Sequence, residues 1–178
     1  MTDNTLKPEK SRLAFQRNVA IIGVILFIGK LIAWHLTNSD AVFSDAMESI
    51  VNIISAFMGL YSLYLAAQPK DENHPYGHGK VEFVTSGVEG SLIIFAGVII
   101  IVEAVDSLLH TNALKKLDYG IFIVLATAIA NYIMGYISIE KGKKENSLVL
   151  ISSGKHLQSD TITTFGVVAS LILVYYTK

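Results

Sequence analysis

Two pairs of metal-capable side chains stand four residues apart in apolar surroundings, Glu48 with Asn52 and His156 with Asp160. On a helix an i, i+4 spacing puts both members of a pair on one face, so each segment can offer two ligands to one ion. Ionisable groups are costly in hydrocarbon, where they mark a pathway for an ion or a proton. Glu48 and Asp160 supply two negative charges, His156 an imidazole nitrogen and Asn52 an amide oxygen. Such a set neutralises a divalent ion and can close a tetrahedral shell. The chemistry implied is transport-type binding of a divalent metal.

The elements that must position these pairs follow from composition. The 178 residues are 52% hydrophobic and 16% charged, and mean hydropathy is positive. That is too apolar for an ordinary soluble domain. The charges gather in short breaks between long apolar runs, the punctuation of a polytopic membrane protein. The expected fold is therefore all-α, a polytopic membrane helix bundle. Its five predicted transmembrane helices run from Phe15 to Thr37, Ala41 to Ala67, Val81 to His110, Leu117 to Ile139 and Ser147 to Tyr176. Each is long enough to cross a core of about 30 Å at about 1.5 Å per residue. A soluble bundle of buried helices is set aside, because successive runs this long carry too few charges for it.

Cysteine is absent, so any metal site uses oxygen and imidazole. Net charge is −1, and no basic patch with interleaved aromatics points to nucleic acid. Lys7, Lys10, Arg12 and Arg17 precede the first span without a signal-peptidase site, so that span is expected to stay as an anchor. Cations recur in the second loop at Lys70 and Lys80 and in the fourth at Lys141, Lys143 and Lys144. Lys115 and Lys116 lie in the third loop, and the stretch around Asn38 and Ser39 has none. The positive-inside bias places the N-terminus in the cytoplasm and the C-terminal residues after Tyr175 and Tyr176 on the far side, in a cell (inner) membrane.

Depth then follows by counting. From Ala41 inward, Glu48 lies about 10 Å and Asn52 about 16 Å below the outer surface. From Ser147 outward, His156 lies about 14 Å and Asp160 about 20 Å from the inner one. His156 is thus level with Asn52, and Asp160 with Glu48. Asp45 shares the face of Glu48 and Asn52 but lies nearer the surface, and reads as the mouth of the site. Structural glue between helices is the competing reading for these polar groups, chiefly for Asn52.

The second loop reads DENHPYGHGKVE from Asp71 to Glu82. Pro75 blocks helix continuation and Gly77 and Gly79 permit tight turns, so His74 and His78 can converge with Asp71 at the membrane surface. Histidines standing in water on a plain connecting turn are the alternative. Two other motifs fail: HPYGH lacks the glutamate of a zinc-protease helix, and GHGK lacks the flanking Gly and Ser/Thr of a phosphate loop.

This loop, with SDAMES at Ser44 to Ser49 and KHLQSD at Lys155 to Asp160, resembles the cation diffusion facilitator (cation efflux) family of proton-coupled divalent-metal exporters. The resemblance covers nearly the whole chain. It implies that Glu48, Asn52, His156 and Asp160 fall at transport-site positions, and Asp71, His74 and His78 at a second, loop-borne metal site. It also implies a homodimer. The family often has Asp or His where this chain has Glu48, and Asp where it has Asn52, which leaves the metal open. It usually has six membrane helices followed by a cytoplasmic domain; residues 1–178 read as a transmembrane domain alone, without the cytoplasmic C-terminal domain, and as a fragment or a shortened member.

The expected function is proton-coupled efflux of a divalent cation, with zinc first and iron, cobalt and manganese as candidates. The protein is expected to be a secondary transporter and no enzyme, without an organic cofactor. Metal binding requires neutral His156 and ionised Glu48 and Asp160, so binding expels protons. Affinity should fall between about pH 8 and about pH 6, across the ordinary histidine value near 6.5. A non-transporting membrane metal-binding or assembly module is the alternative, and an intramembrane hydrolase has no nucleophile and base at convincing spacing. Four further expectations concern side chains. Glu89, about 12 Å from the inner face, is a proton site or an interhelical hydrogen-bond partner. Ser86, Gly90 and Gly97 share a face suited to close helix approach. Lys30, Glu103 and Asp106 snorkel toward the outer ends. Trp34 is an interfacial anchor.

Overall fold

The computed structural model describes residues 3–38, 40–72, 74–109 and 117–177. Five helices follow one another: α1 (Asp3–Thr37), α2 (Asp40–Ala66), α3 (Val81–Leu109), α4 (Leu117–Glu145) and α5 (Leu148–Thr177). The expected spans fall on these helices in order. Two helices, α1 and α4, outrun them by more than one residue, and both extensions are polar. α1 begins at Asp3, and α4 continues to Glu145, where Lys141 and Glu145 pair one turn apart at 2.7 Å. The loop around Lys115 and Lys116, and the side chains of Glu103, Asp106, Tyr175 and Tyr176, lie outside the described residues.

Two helix ends are set by asparagines in the left-handed region. Asn38 has φ 48° and its N–H donates to Trp34 O at 2.8 Å; Asn146 has φ 52°, and the next N–H, of Ser147, donates to Gly142 O at 2.9 Å. These bonds satisfy carbonyls that the helix itself leaves open, and asparagine tolerates that conformation. The following helix begins two residues after each asparagine.

Polarity is inverted relative to a soluble domain. Gln16, Lys30, Asp45, Glu89, Asn131, His156 and Asp160 are buried, while Ile25, Phe57, Ile94, Phe95, Phe122 and Ile162 are exposed. An apolar exterior around a polar interior is stable in lipid, where backbone groups must be satisfied within the helices. Four helices, α1 to α4, contain stretches long and apolar enough to cross a membrane. Among the described residues α5 does not reach that apolarity, because Lys155, His156, Gln158, Asp160, Thr161, Thr163 and Thr164 interrupt it. The chain is a multi-pass membrane protein.

Helix α5 lies against α2, α3 and α4, and α1 lies against α2 and α4. The α4/α5 crossing is close enough that backbone meets backbone. A Cβ on Gly154 would come 2.7 Å from Gly135 O, and one on Gly142 2.8 Å from Ile151 N. Small residues permit such approach where apolar burial offers little drive between helices. Gly90 and Gly97 do not serve this purpose: nothing lies within 4 Å of a Cβ at either. Of the expected small face on α3 only Ser86 makes contact, its hydroxyl 3.2 Å from that of Ser152. The reason is the position of α3, which packs chiefly against α5 and α2 and leaves those glycines without a neighbour.

The loop-2 end is tied by charge. Arg12 meets Glu145 at 3.4 Å and Glu82 at 3.8 Å, and Glu82 accepts from Ser147 Oγ at 2.7 Å at the start of α5. A cavity of about 190 Å³ opens there, lined by Glu9, Arg12, Leu63, Ala66, Gly79 and Glu82 among others.

Candidate functional site

The one-turn spacing on α2 and the polar run on α5 bring Asp45, Glu48 and Asp160 together, with one carboxylate oxygen of each within 4.8 Å of the others. Asp45 and Asp160 are buried and Glu48 is partly so. Hydroxyls of α5 support them: Thr164 Oγ1 donates to Asp45 Oδ1 at 2.7 Å, and Thr163 Oγ1 to Glu48 Oε2 at 3.3 Å. Asn131 of α4 donates through Nδ2 to Asp160 Oδ2. Asp160 Oδ1 is buried and has no hydrogen-bond partner. One carboxylate oxygen is therefore fixed by the protein and the other is free for an ion.

Asp45 thus lies within the cluster and not at its mouth. Counting residues from the helix end gave its height but not its neighbours, and those come from α1 and α5. Lys30 corrects the sequence reading more strongly. Its side chain is fully buried instead of reaching outward, with Nζ 3.1 Å from Asp45 Oδ2 and 3.5 Å from Asp160 Oδ2. Two buried carboxylates compensate the ammonium inside the bundle, where an unpaired charge would be strongly destabilising.

Asn52 and His156 face one small cavity beside the carboxylates, which Val19, Ser55, Ala56, Ser153 and Leu157 also line. Asn52 Oδ1 and His156 Nδ1 are buried there without partners. Glu48 and Asp160 thus meet in one cluster and Asn52 and His156 in the adjoining cavity. The nitrogens of His156 are not among the ligand atoms gathered within 4.8 Å around Glu48 and Asp160, so the four side chains do not form one closed shell here.

Further toward the loop-2 end, Glu89 is fully buried. It accepts from Ser153 Oγ at 2.8 Å and from Ser152 Oγ. Gln16 Nε2 donates to Ala56 O at 3.2 Å and to Ser153 Oγ at 3.4 Å, which links α1, α2, α3 and α5. A Cβ on Gly59 would stand 2.8 Å from Gln16 Nε2, so the glycine gives that amide its room. The interhelical hydrogen-bond role of Glu89 is formed. Neither Gln16 nor Asn131 was singled out from sequence, although an amide inside an apolar helix is the signal that marked Asn52.

In the second loop, Asp71, His74 and His78 hold ligand atoms within 4.8 Å of one another. His74 Nδ1 lies 2.9 Å from Asp71 Oδ1, which also accepts from the His74 N–H at 2.6 Å, and His78 Nε2 lies 3.5 Å from Asp71 Oδ2. The turn is closed by Gly77 N–H donating to His74 O at 2.9 Å, with Gly77 at φ 83°, a conformation that favours glycine. Partial desolvation would raise the Asp71 carboxyl, but the two bonds from His74 and the nearby imidazoles outweigh it and hold it below the usual carboxylate value. His78 Nδ1 is buried and unpartnered. Three oxygen and nitrogen ligands with an open position suit a divalent ion.

The polar interior of this multi-pass helix bundle converges on buried carboxylates. Residues 18–178 match the cation efflux transmembrane domain, and the chain belongs to that family. It is 38% identical over 169 residues to an uncharacterized transporter of Synechocystis sp., covering 94% of this chain and 54% of that protein. It is 27% identical over 166 residues to the manganese efflux system protein MneP of Bacillus subtilis, with 91% of this chain and 56% of that one covered. It is 24% identical over 170 residues to the cation-efflux pump FieF of Pectobacterium carotovorum, with 94% and 57% covered. The chain spans just over half the length of each.

Proposed function

We propose that this chain is the transmembrane part of a divalent-cation efflux transporter, exporting the ion from the cytoplasm in exchange for protons. The observation that carries the reading is the convergence of Asp45, Glu48 and Asp160 at the buried crossing of α2 and α5, with Asp160 Oδ1 left free. Glu48 and Asp160 neutralise the ion, and Asn52 and His156 in the adjoining cavity complete its ligands as it moves. Their competition with protons couples the two fluxes, and rocking of α2 against α5 alternates access. The N-terminus and the second and fourth loops face the cytoplasm, where Asp71, His74 and His78 hold a second ion, and the unit works as a homodimer in the cell membrane.

Zinc heads the candidates on the sequence. The gathered donors are oxygens, however, and carboxylate and carbonyl ligands suit manganese better than they suit zinc. The similarity to a manganese efflux system points the same way. The test is proton-coupled flux in proteoliposomes with Mn²⁺, Zn²⁺, Fe²⁺ and Co²⁺, on this chain and on Asp160→Ala. Flux highest for Mn²⁺ and abolished in the variant is expected. Metal binding without flux would instead favour a non-transporting membrane metal-binding module.

A further inference from the structure

Transport by Glu48 and Asp160 gives Lys30 no task, yet Lys30 sits at the centre of the bundle, fully buried on α1. An ammonium out of water costs several kcal/mol in effective desolvation, and a lysine serving only as an anchor would carry its charge to the interface on its flexible stem. Its Nζ lies 3.1 Å from Asp45 Oδ2 and 3.5 Å from both Asp160 Oδ2 and Thr164 Oγ1. Asp160 is used asymmetrically. Oδ2 receives Lys30 and Asn131, while Oδ1 is buried and unpartnered. An ion can therefore take Oδ1 without displacing the lysine, which then acts behind the ligand as outer-shell groups do at metal sites.

Charge bookkeeping gives this arrangement its meaning. Asp45, Glu48 and Asp160 contribute −3 when ionised, and Lys30 brings the pocket to −2. One doubly charged ion then leaves it neutral. Without the lysine the same ion would leave an uncompensated charge inside the bundle, which is expensive in hydrocarbon. A fixed positive charge a few ångströms from the ion also opposes binding. An exporter needs such moderation, because an ion held too tightly is not released.

We propose that Lys30 is a fixed internal counter-charge of the transport site: it remains on Asp45 and on the far oxygen of Asp160 while the ion is bound, orients Asp160, and matches the pocket to one divalent cation at an affinity that permits release. Lys30 is a positioning and specificity-determining residue. The inference rests on the transport-site reading above, and the experiment separates the two.

Mn²⁺ and Zn²⁺ binding is measured calorimetrically on the full chain in detergent, for the parent, Asp160→Ala, Asp45→Asn, Lys30→Arg, Lys30→Met and the Lys30→Met/Asp45→Asn double variant. The double variant removes both partners of the shorter ion pair and leaves the pocket at the parent's −2, so its folding does not depend on Lys30→Met alone being tolerated. Asp45→Asn and the double variant share the loss of Asp45 and differ only in the lysine. The double variant is expected to bind at least about tenfold more tightly than Asp45→Asn, one step of about 1.4 kcal/mol. Lys30→Arg keeps the parent affinity, and Lys30→Met, where it folds, binds more tightly and turns over more slowly. A purely structural tie between helices would shift stability and leave the two affinities equal, and equal affinities overturn the proposal. Because the loop cluster can still bind in Asp160→Ala, the readout is the binding component that this variant removes. Isotherms indistinguishable between the parent and Asp160→Ala, or no binding by the parent, overturn the transport-site reading and this inference with it. A component lost in Asp160→Ala but equal in the decisive pair overturns the Lys30 inference alone.

Discussion

Two clusters in this chain each bring three ligand-bearing side chains within 4.8 Å, and they live in opposite surroundings. Asp71, His74 and His78 come from one short loop, with Asp71 and His74 exposed to solvent. Asp45, Glu48 and Asp160 come from two helices, are steadied by Lys30 from α1 and Asn131 from α4, and lie inside the bundle. The same ligand geometry carries different energies. In the loop, water screens each charge and can replace a lost partner. Inside the bundle, removing one charge strands another, and breaking a buried pair costs about 3–5 kcal/mol.

One substitution made in both places gives the largest expected contrast. Asp160→Asn should lower Mn²⁺ flux in proteoliposomes by about a hundredfold or more, the scale of breaking a buried pair. Asp71→Asn should lower it by no more than about threefold, as for an exposed pair. Comparable losses would show that the loop cluster stands directly in the ion's path.

The backbone supports of the two clusters separate next. Gly154→Val puts side-chain atoms where a Cβ already stands 2.7 Å from Gly135 O. It should destabilise the α4/α5 crossing by about 1–3 kcal/mol, as overpacking does, read as a lowered unfolding midpoint in detergent. Gly77→Ala meets open room, with Lys70 Cγ 3.7 Å away, but must hold φ 83°. It should cost about 1–2 kcal/mol locally and leave that midpoint unchanged while weakening loop metal binding. A global shift from Gly77→Ala would mean that the loop is part of the cooperative bundle.

The contrast also explains what was legible in the sequence. The loop cluster is local, so Pro75, Gly77 and the histidine spacing were enough to place its members together. Helix positions were legible as well, because long apolar runs in lipid have few alternatives. The levels of Glu48 with Asp160 and of Asn52 with His156 followed from rise per residue. What counting could not give was rotation, meaning which helix faces which. Lys30 was read as snorkelling for that reason. It lies seven residues before the end of α1 at Thr37, about 10 Å deep at about 1.5 Å per residue, the level of Glu48. Depth puts the two level; which residues face each other follows only from the packed bundle. Gly90 and Gly97 misled in the reverse sense, since a small-residue face is a contact only where a neighbour exists.

Within the loop, burial separates the two histidines. The side chain of His74 is 54% exposed and that of His78 is 9% exposed. Water can take the place of His74 more readily, so in an Asp160→Ala background His78→Ala should reduce loop Zn²⁺ affinity by about tenfold, and His74→Ala by less. Equal losses in calorimetry would mean that the turn's geometry, and not exclusion of water, sets the affinity.

The smallest effect concerns acidity. Asp71 is held below the usual carboxylate value on folding. Such a group contributes loop stability that is fully present above its unfolded value, about 3.9, and is lost only as the pH falls through the lower folded value. Between about pH 5 and about pH 8 Asp71 therefore stays ionised, and any pH dependence of loop binding there belongs to other groups. In the Asp160→Ala background, Asp71→Asn should then lower loop Zn²⁺ affinity by the same factor at about pH 5 and at about pH 8. A factor that shrinks toward the acid end would show the carboxyl taking up a proton in that window. The bonds from His74 would then be weaker than their 2.6 and 2.9 Å lengths indicate, and the loop would share the proton sensitivity proposed for the buried site.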